Sequence, residues 1–209
     1  MSKITSIEIQ KRNKNRCNIF IDWEYSFSNS NDLVYKNSLK VNMEVHEEEL
    51  LSIAEEDNFY KCKESALRII ERSYKSEKEL KDKLIEKGYG TKEINKVIDF
   101  LKEYNFINNR AYAEMFCKDR IRSQGSNKIK YSLMRKGIEE NIIDEVIANI
   151  DNEKEENSAS ELCRKKYEQL IRRESDIYKI KNKLYTFLVG RGYDYSLVKG
   201  VINRVINNE

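Results

Sequence analysis

Histidine and cysteine are the side chains that most often carry nucleophilic, acid–base or metal chemistry near neutral pH, and here they are sparse. One histidine, His46, and four cysteines, Cys17, Cys62, Cys117 and Cys163, occur in 209 residues. No two cysteines have C-x-x-C spacing, so the usual zinc ligand sets cannot be assembled. The acidic triplet Glu47-Glu48-Glu49 resembles a metal site only superficially, because adjacent residues on a helix point in different directions. It reads as a helix start, where negative charge is favoured. There is no phosphate-binding glycine loop and no nucleophile motif. These readings predict no enzyme, no cofactor and no metal. The scattered cysteines, with no signal peptide and no apolar run near ~18 residues, predict a reduced, cytoplasmic chain outside any membrane.

Cations are the remaining candidates. From Lys118 to Lys136 there are seven (Lys118, Arg120, Arg122, Lys128, Lys130, Arg135, Lys136) against one acid, Asp119. They are either solvated faces opposite Ile129 and Leu133 or a rim that contacts phosphates or acids. Arg68 and Arg72 lie off the apolar stripe of Ala66, Leu67 and Ile70. Lys179 and Lys183, four apart, lie off that of Ile177, Ile180 and Leu184. The expected interaction surface is therefore a basic face spread over Arg68, Arg72, Lys118, Arg120, Arg122, Lys128, Lys130, Arg135, Lys179 and Lys183. The formal net charge of +3 does not by itself declare a nucleic-acid binder.

The elements that carry these cations repeat. Aligned on Gly88, Gly137 and Gly192, three stretches place apolar residues at the same offsets. Eight and four residues before the glycine stand Leu80 and Leu84, Ile129 and Leu133, Leu184 and Leu188. Six, nine, ten and thirteen after it stand Ile94, Val97, Ile98 and Leu101, then Ile143, Val146, Ile147 and Ile150, then Val198, Val201, Ile202 and Val205. Offsets of three and four are one face of a helix. Glycine suits the left-handed residue that ends a helix, and Lys87, Lys136 and Arg191 place a cation at that terminus. Each copy with the helix before it makes a three-helix, helix-turn-helix-like unit. Ser76 with Glu79, and Ser158 with Glu161, read as capping boxes, and Thr91 as a further cap. Asp151 to Asn157 reads as a connector.

Before the repeats, Ile7/Ile9, Cys17/Ile19/Ile21 and Tyr25/Phe27 alternate with polar residues across a polar turn at Lys11 to Arg16. That is a small antiparallel meander, ended by Asn29 to Asp32. Leu39, Val41, Met43 and Val45 suggest one more strand. The expected fold is mainly α: a β-rich domain over 1–60, then three-helix repeats over 61–108, 109–152 and 153–209, in an elongated, curved arrangement.

The run Ala66-Leu67-Arg68, Ser76, Glu79-Leu80, Lys83-Leu84, Lys87-Gly88 resembles the first unit of the RecX regulatory proteins. Tyr112-Ala113, Phe116, Arg120 and Leu133 to Ile138 resemble the second unit, and Phe187-Leu188 with Arg191-Gly192-Tyr193 the third. Residues 1–60 resemble the N-terminal extension of Gram-positive members. The chain departs from the pattern at Asn105, where members often have a glycine, at Asn108 and Asn109, where aspartates are common, and at Trp23, where glycine is. The resemblance implies a modulator of the RecA recombinase, usually an antagonist, lying in the groove of the RecA–single-stranded DNA filament. It implies single-stranded DNA within the filament and weak direct DNA contact as further partners, and a monomer outside the membrane. The alternative from the residues alone is a helix-turn-helix-like binder of duplex DNA. Asp144 and Glu145, early in the third helix of the second unit, oppose it, because they would face phosphates.

Overall fold

The computed structural model describes residues 2–207, with the side chain of Glu47 outside the described residues. The chain forms two compact units, Met1–Ser73 with Leu80–Phe106 and Tyr74–Glu79 with Ile107–Glu209.

The first unit opens with β1 (Ser2–Ile9), β2 (Arg16–Ile21), β3 (Glu24–Ser30) and the short β4 (Glu44–Val45), in the order β3-β2-β1-β4, antiparallel throughout. Ile4, Ile19, Leu39, Val45 and Ile53 form its core. The strand expected from Leu39 to Val45 shrinks to two residues because Ser38 and Asn42 adopt left-handed backbone (φ 50° and 73°), which no extended strand tolerates. The meander ends at Ser30 as expected and passes into α1 (Asn31–Lys36), capped by the Ser30 hydroxyl, which accepts the Leu33 N–H at 3.2 Å. At the β2–β3 turn Asp22 and Trp23 are left-handed (φ 48° and 73°). The pair is held by the Trp23 N–H donating to Thr5 Oγ1 and the Lys3 N–H to Asp22, each at 3.0 Å.

Helix α2 (Glu47–Arg72) begins at the acidic triplet as expected. It is one 26-residue helix, and the stripe of Ala66, Leu67 and Ile70 lies in its last third. Arg16 clamps the sheet to it: both guanidinium nitrogens donate to Asp57 (2.7 and 3.1 Å), and Lys61 pairs with the same carboxylate at 2.6 Å. Burial alone would raise the Asp57 pKa, but those bonds outweigh it and hold the carboxyl below its usual value. Helices α3 (Glu77–Glu86) and α4 (Thr91–Glu103) complete the first repeat. Ser76 and Glu79 exchange the capping-box bonds, both 3.2 Å. Thr91 does not cap α4: Gly90 occupies the cap position and Thr91 is the first helical residue.

In the second unit, α5 (Asn109–Arg120), α6 (Ser126–Arg135) and α7 (Glu140–Ala148) form the second repeat; α8 (Asn152–Ile171), α9 (Ile177–Val189) and α10 (Tyr195–Asn207) form the third. Asn108 caps α5 by accepting the Ala111 N–H. The acidic stretch 151–157 is no connector but the opening of α8. Asp151 caps that helix, and Glu155, Ala159, Cys163 and Tyr167 bury one face at four-residue spacing. Ser158 is therefore mid-helix and caps nothing.

The aligned apolar positions are the cores. Leu80, Leu84, Ile129, Leu133, Leu184 and Leu188 are each fully buried; Ile147, Ile150 and Val205 are half-buried, and the other nine are buried. Gly88, Gly137 and Gly192 have φ of 84°, 73° and 88°. All three end their helices in the same double bond pattern, Tyr89 N–H to Leu84 O and Gly88 N–H to Ile85 O in the first copy, repeated at Ile138/Gly137 and Tyr193/Gly192. Asn105 (φ 55°) makes the same ending for α4, with Phe106 N–H to Leu101 O at 2.8 Å.

Candidate interaction surface

No group of three or more His, Cys, Asp or Glu among the described residues could hold a metal. Burial pushes the thiols of Cys62, Cys117 and Cys163 up to about 11, so they stay protonated and poorly nucleophilic near neutral pH. Their role is packing. Cys62 with Ala66, Ala113 with Cys117, and Ala159 with Cys163 are buried pairs of small residues four apart on the first helix of each repeat, letting neighbouring helices approach closely. Three of the four cysteines thus belong to a recurring small pair, Cys62 as its first member and Cys117 and Cys163 as its second, while Cys17 lies in β2. The signal was an i, i+4 small pair, legible once the first helices are aligned.

The ten candidate cations separate by what they touch. In the first unit Arg68 pairs with Glu64 at 2.6 Å, while Arg72 is exposed in the last turn of α2. In the second unit Lys130 pairs with Asp144 (2.6 Å), Lys183 with Glu174 (3.2 Å) and Lys179 with Asp176 (3.9 Å). The Asp144 hydrogen bond raises the Lys130 pKa. Lys118 and Arg120 sit in the last turn of α5, and Arg122 in the turn that follows. Arg135 ends α6. Among the described residues, Arg72, Lys118, Arg120, Arg122, Lys128 and Arg135 have no carboxylate partner. Their charge is available to a ligand, whereas the other four are already opposed.

Around Arg120 the second unit builds an aromatic column. Tyr74 stacks on Tyr112 (5.9 Å, 11°) and Tyr112 on Phe116 (6.2 Å, 18°). Arg120 lies 5.5 Å from the Phe116 ring, and Lys136 5.5 Å from both Tyr112 and Phe116. A second cluster places Arg191 4.6 Å and Lys166 5.6 Å from Phe187. Charge in the sequence marks the cations but not these rings, whose spacing on different elements carries no local signal.

The turn bearing Arg122 is held by the next repeat. Arg191 donates to the Ser123 carbonyl at 3.1 Å, Gly125 N–H to Arg191 O at 3.0 Å and Asn127 N–H to Gly192 O at 3.1 Å. Lys128 Nζ reaches Gly190 O at 3.5 Å, and Ser126 N–H donates to Glu155 at 2.7 Å. The same joint recurs one repeat earlier. The Ser76 hydroxyl donates to Lys136 O (2.7 Å), Lys78 Nζ to Arg135 O (3.2 Å), and Glu77 N–H to Asn109 (3.0 Å). In each, the N-terminus of one repeat's second helix meets the C-terminal carbonyls of the next repeat's second helix, with opposite ends of two helix dipoles in contact. A side chain from the next repeat's first helix takes one of the orphan N–H groups.

Four family models match in chain order: the regulatory protein RecX N-terminal domain over residues 2–46, and the first, second and third RecX three-helix domains over 62–101, 108–147 and 153–202. A regulatory protein RecX of Clostridium beijerinckii is 53% identical over 99% of this chain and 97% of its own. One of Clostridioides difficile is 36% identical over 99% and 97%. A crystal structure of regulatory protein RecX shares the fold at 24% identity, with a TM-score of 0.75 over 97% of this chain and 100% of that one.

Proposed function

This chain belongs to the RecX family of regulatory proteins, and from that premise we propose that it is a non-catalytic inhibitor of the RecA recombinase. It binds the groove of the RecA–single-stranded DNA filament and limits filament growth, ATP hydrolysis and strand exchange. The observation that carries this reading is the recurring joint. The same helix-end bonds form from Ser76 to the Lys136 carbonyl and from Gly125 and Asn127 to those of Arg191 and Gly192, and a chain of like units suits an object that itself repeats. Units that touch neighbouring filament subunits act as one multivalent ligand with high effective concentration. Differential affinity for filament states is then enough to slow cycling without any chemistry on the regulator. Arg72, Lys118, Arg120, Arg122, Lys128 and Arg135 supply charge to the filament surface and its DNA.

The composition of α7 opposes the duplex-binding alternative. Its charged residues are the acids Glu140, Asp144 and Glu145, and pairing of Asp144 with Lys130 and Glu145 with Arg110 leaves the helix that would enter a groove with no cation of its own. The protein acts in the cytoplasm, alongside its recombinase, and no described helix is long and apolar enough to cross a membrane.

The experiment is binding measured by fluorescence anisotropy, to preformed RecA filaments and to naked duplex, across a salt titration. Filaments are expected to be preferred, with a shallow salt slope. Arg120→Glu with Arg122→Glu should weaken filament binding while leaving the melting temperature intact. A steep slope with tighter binding to naked duplex would replace this reading with that of a duplex binder.

A further inference from the structure

Of the three second-helix C-termini that end on a left-handed glycine, two are covered. A Cβ placed on Gly137 would sit 2.7 Å from the Lys78 side chain, and one on Gly192 2.3 Å from that of Lys128; one on Gly88 would meet nothing within 4 Å. The carbonyls that accept the preceding repeat's donors in the covered copies are those of Arg135 and Lys136, and of Gly190, Arg191 and Gly192. Their equivalents, Glu86, Lys87 and Gly88, accept no hydrogen bond from another element among the described residues.

The side chains beside the open copy differ in the same sense. Three residues before each glycine stands an exposed apolar residue: Met134 (44%), Val189 (41%) and, most exposed, Ile85 (60%). Two and six residues before Gly88 are the acids Glu86 and Asp82; the covered copies have Arg135 and Tyr131, and Gly190 and Thr186. Only the open end adds carboxylates to the negative end of its helix dipole; Glu86 is paired there with Lys83 at 2.6 Å on an exposed face, a contact that a docking cation would share.

We propose that Ile85, Glu86 and Gly88 form a docking site for the N-terminal turn of a basic helix supplied by another protein. On the functional reading above, which this inference rests on, that protein is a RecA subunit. The occupant's chemistry is taken from the two covered copies: free N–H groups of a first helical turn, with a lysine or arginine at the second or third helical position, as Lys78 and Lys128 provide in α3 and α6. In a second copy, α4 has an uncapped start with Lys92 at its second position, but that lysine is already paired with Glu55 at 2.6 Å. The starts of other long helices are closed, those of α8 and α9 by Asp151 and Asp176, which accept their first-turn N–H groups, and that of α5 by Asn108.

The test is the affinity of the full chain and its variants for preformed RecA filaments, with melting temperature and sedimentation as companion measurements. Ile85→Glu is expected to weaken binding roughly tenfold or more, and Glu86→Lys to weaken it independently by charge reversal, both without a change in melting temperature. Val41→Glu, at an exposed apolar residue elsewhere (50%), should bind as the wild type does. If Ile85→Glu and Glu86→Lys both bind as wild type, this inference fails and the functional reading stands. If the wild type itself does not bind filaments, both fail. Self-association that depends on Ile85 would show that a second copy covers this face, and would overturn the proposal. Should Ile85→Glu lower the melting temperature, Glu86→Lys, on an exposed side chain, decides the matter alone.

Discussion

Gly88 and Gly192 end their helices with the same left-handed residue and the same pair of backbone bonds, yet their surroundings have nothing in common. Gly192 is wedged against the start of α6, while Gly88 faces open space. A helix ending is local chemistry and needs only its own residues. A joint between repeats needs two endings to meet, and the glycine there serves conformation and close approach together. Gly125 separates the two roles: its φ of −78° suits any residue, but a Cβ would lie 2.4 Å from Gly192 O.

The sharpest way to break this comparison is to add one methyl group to each glycine. Gly192→Ala combines left-handed strain with a clash against Lys128 and should cost about 3 kcal/mol or more. Gly88→Ala carries the strain alone and should cost about 1 kcal/mol. Thermal or denaturant unfolding of both variants checks this, and equal losses would mean the joint yields freely at Gly192.

A second prediction concerns acid. At the first joint burial raises the Glu79 pKa, but bonds from Lys136 and the Ser76 N–H outweigh it and leave it lowered. A folded pKa below the unfolded one stabilises fully above the unfolded carboxylate range, about pH 4.3, and that contribution is lost as pH falls through the folded value. Glu79→Gln should therefore cost roughly 1 kcal/mol at neutral pH. The difference from wild type should shrink on acidification below about pH 4. A pH series of melting curves reads it directly.

The smallest effect compares the two joints side chain for side chain. Glu155 offers a carboxylate to the first N–H of α6, whereas Asn109 offers a neutral amide to that of α3. Asn109→Asp should stabilise by about 0.5 kcal/mol through the helix dipole, seen as a slightly higher melting temperature that fades with salt.

What could be read from the sequence follows the same division. The apolar offsets and the three glycines specify local helices and their cores, and those residues are buried as the alignment implies. The charged opening of α8 reads as a connector in the sequence because Glu155 is a buried acid whose partner, the Ser126 N–H, lies 29 residues away. Ser158 looked like a cap because capping boxes are judged by local spacing, while the actual cap, Asp151, stands seven residues earlier. The surroundings of the candidate cations are legible only in part. Charge picks out Lys118, Arg120 and Arg122, but not that Lys130 is spent on Asp144, nor that Tyr74, Tyr112 and Phe116 stack beside Arg120. Each of those facts depends on elements that meet only after folding.

The central claim is that linked, like units restrain a recombinase filament without chemistry of their own. It is tested most directly by RecA-dependent ATP hydrolysis on single-stranded DNA, with this protein titrated onto filaments already assembled. The account predicts that hydrolysis falls as the wild type is added, and that Gly192→Ala, measured at a temperature where it remains folded, needs a higher concentration for the same effect. Hydrolysis unchanged at concentrations that saturate the filament would contradict it.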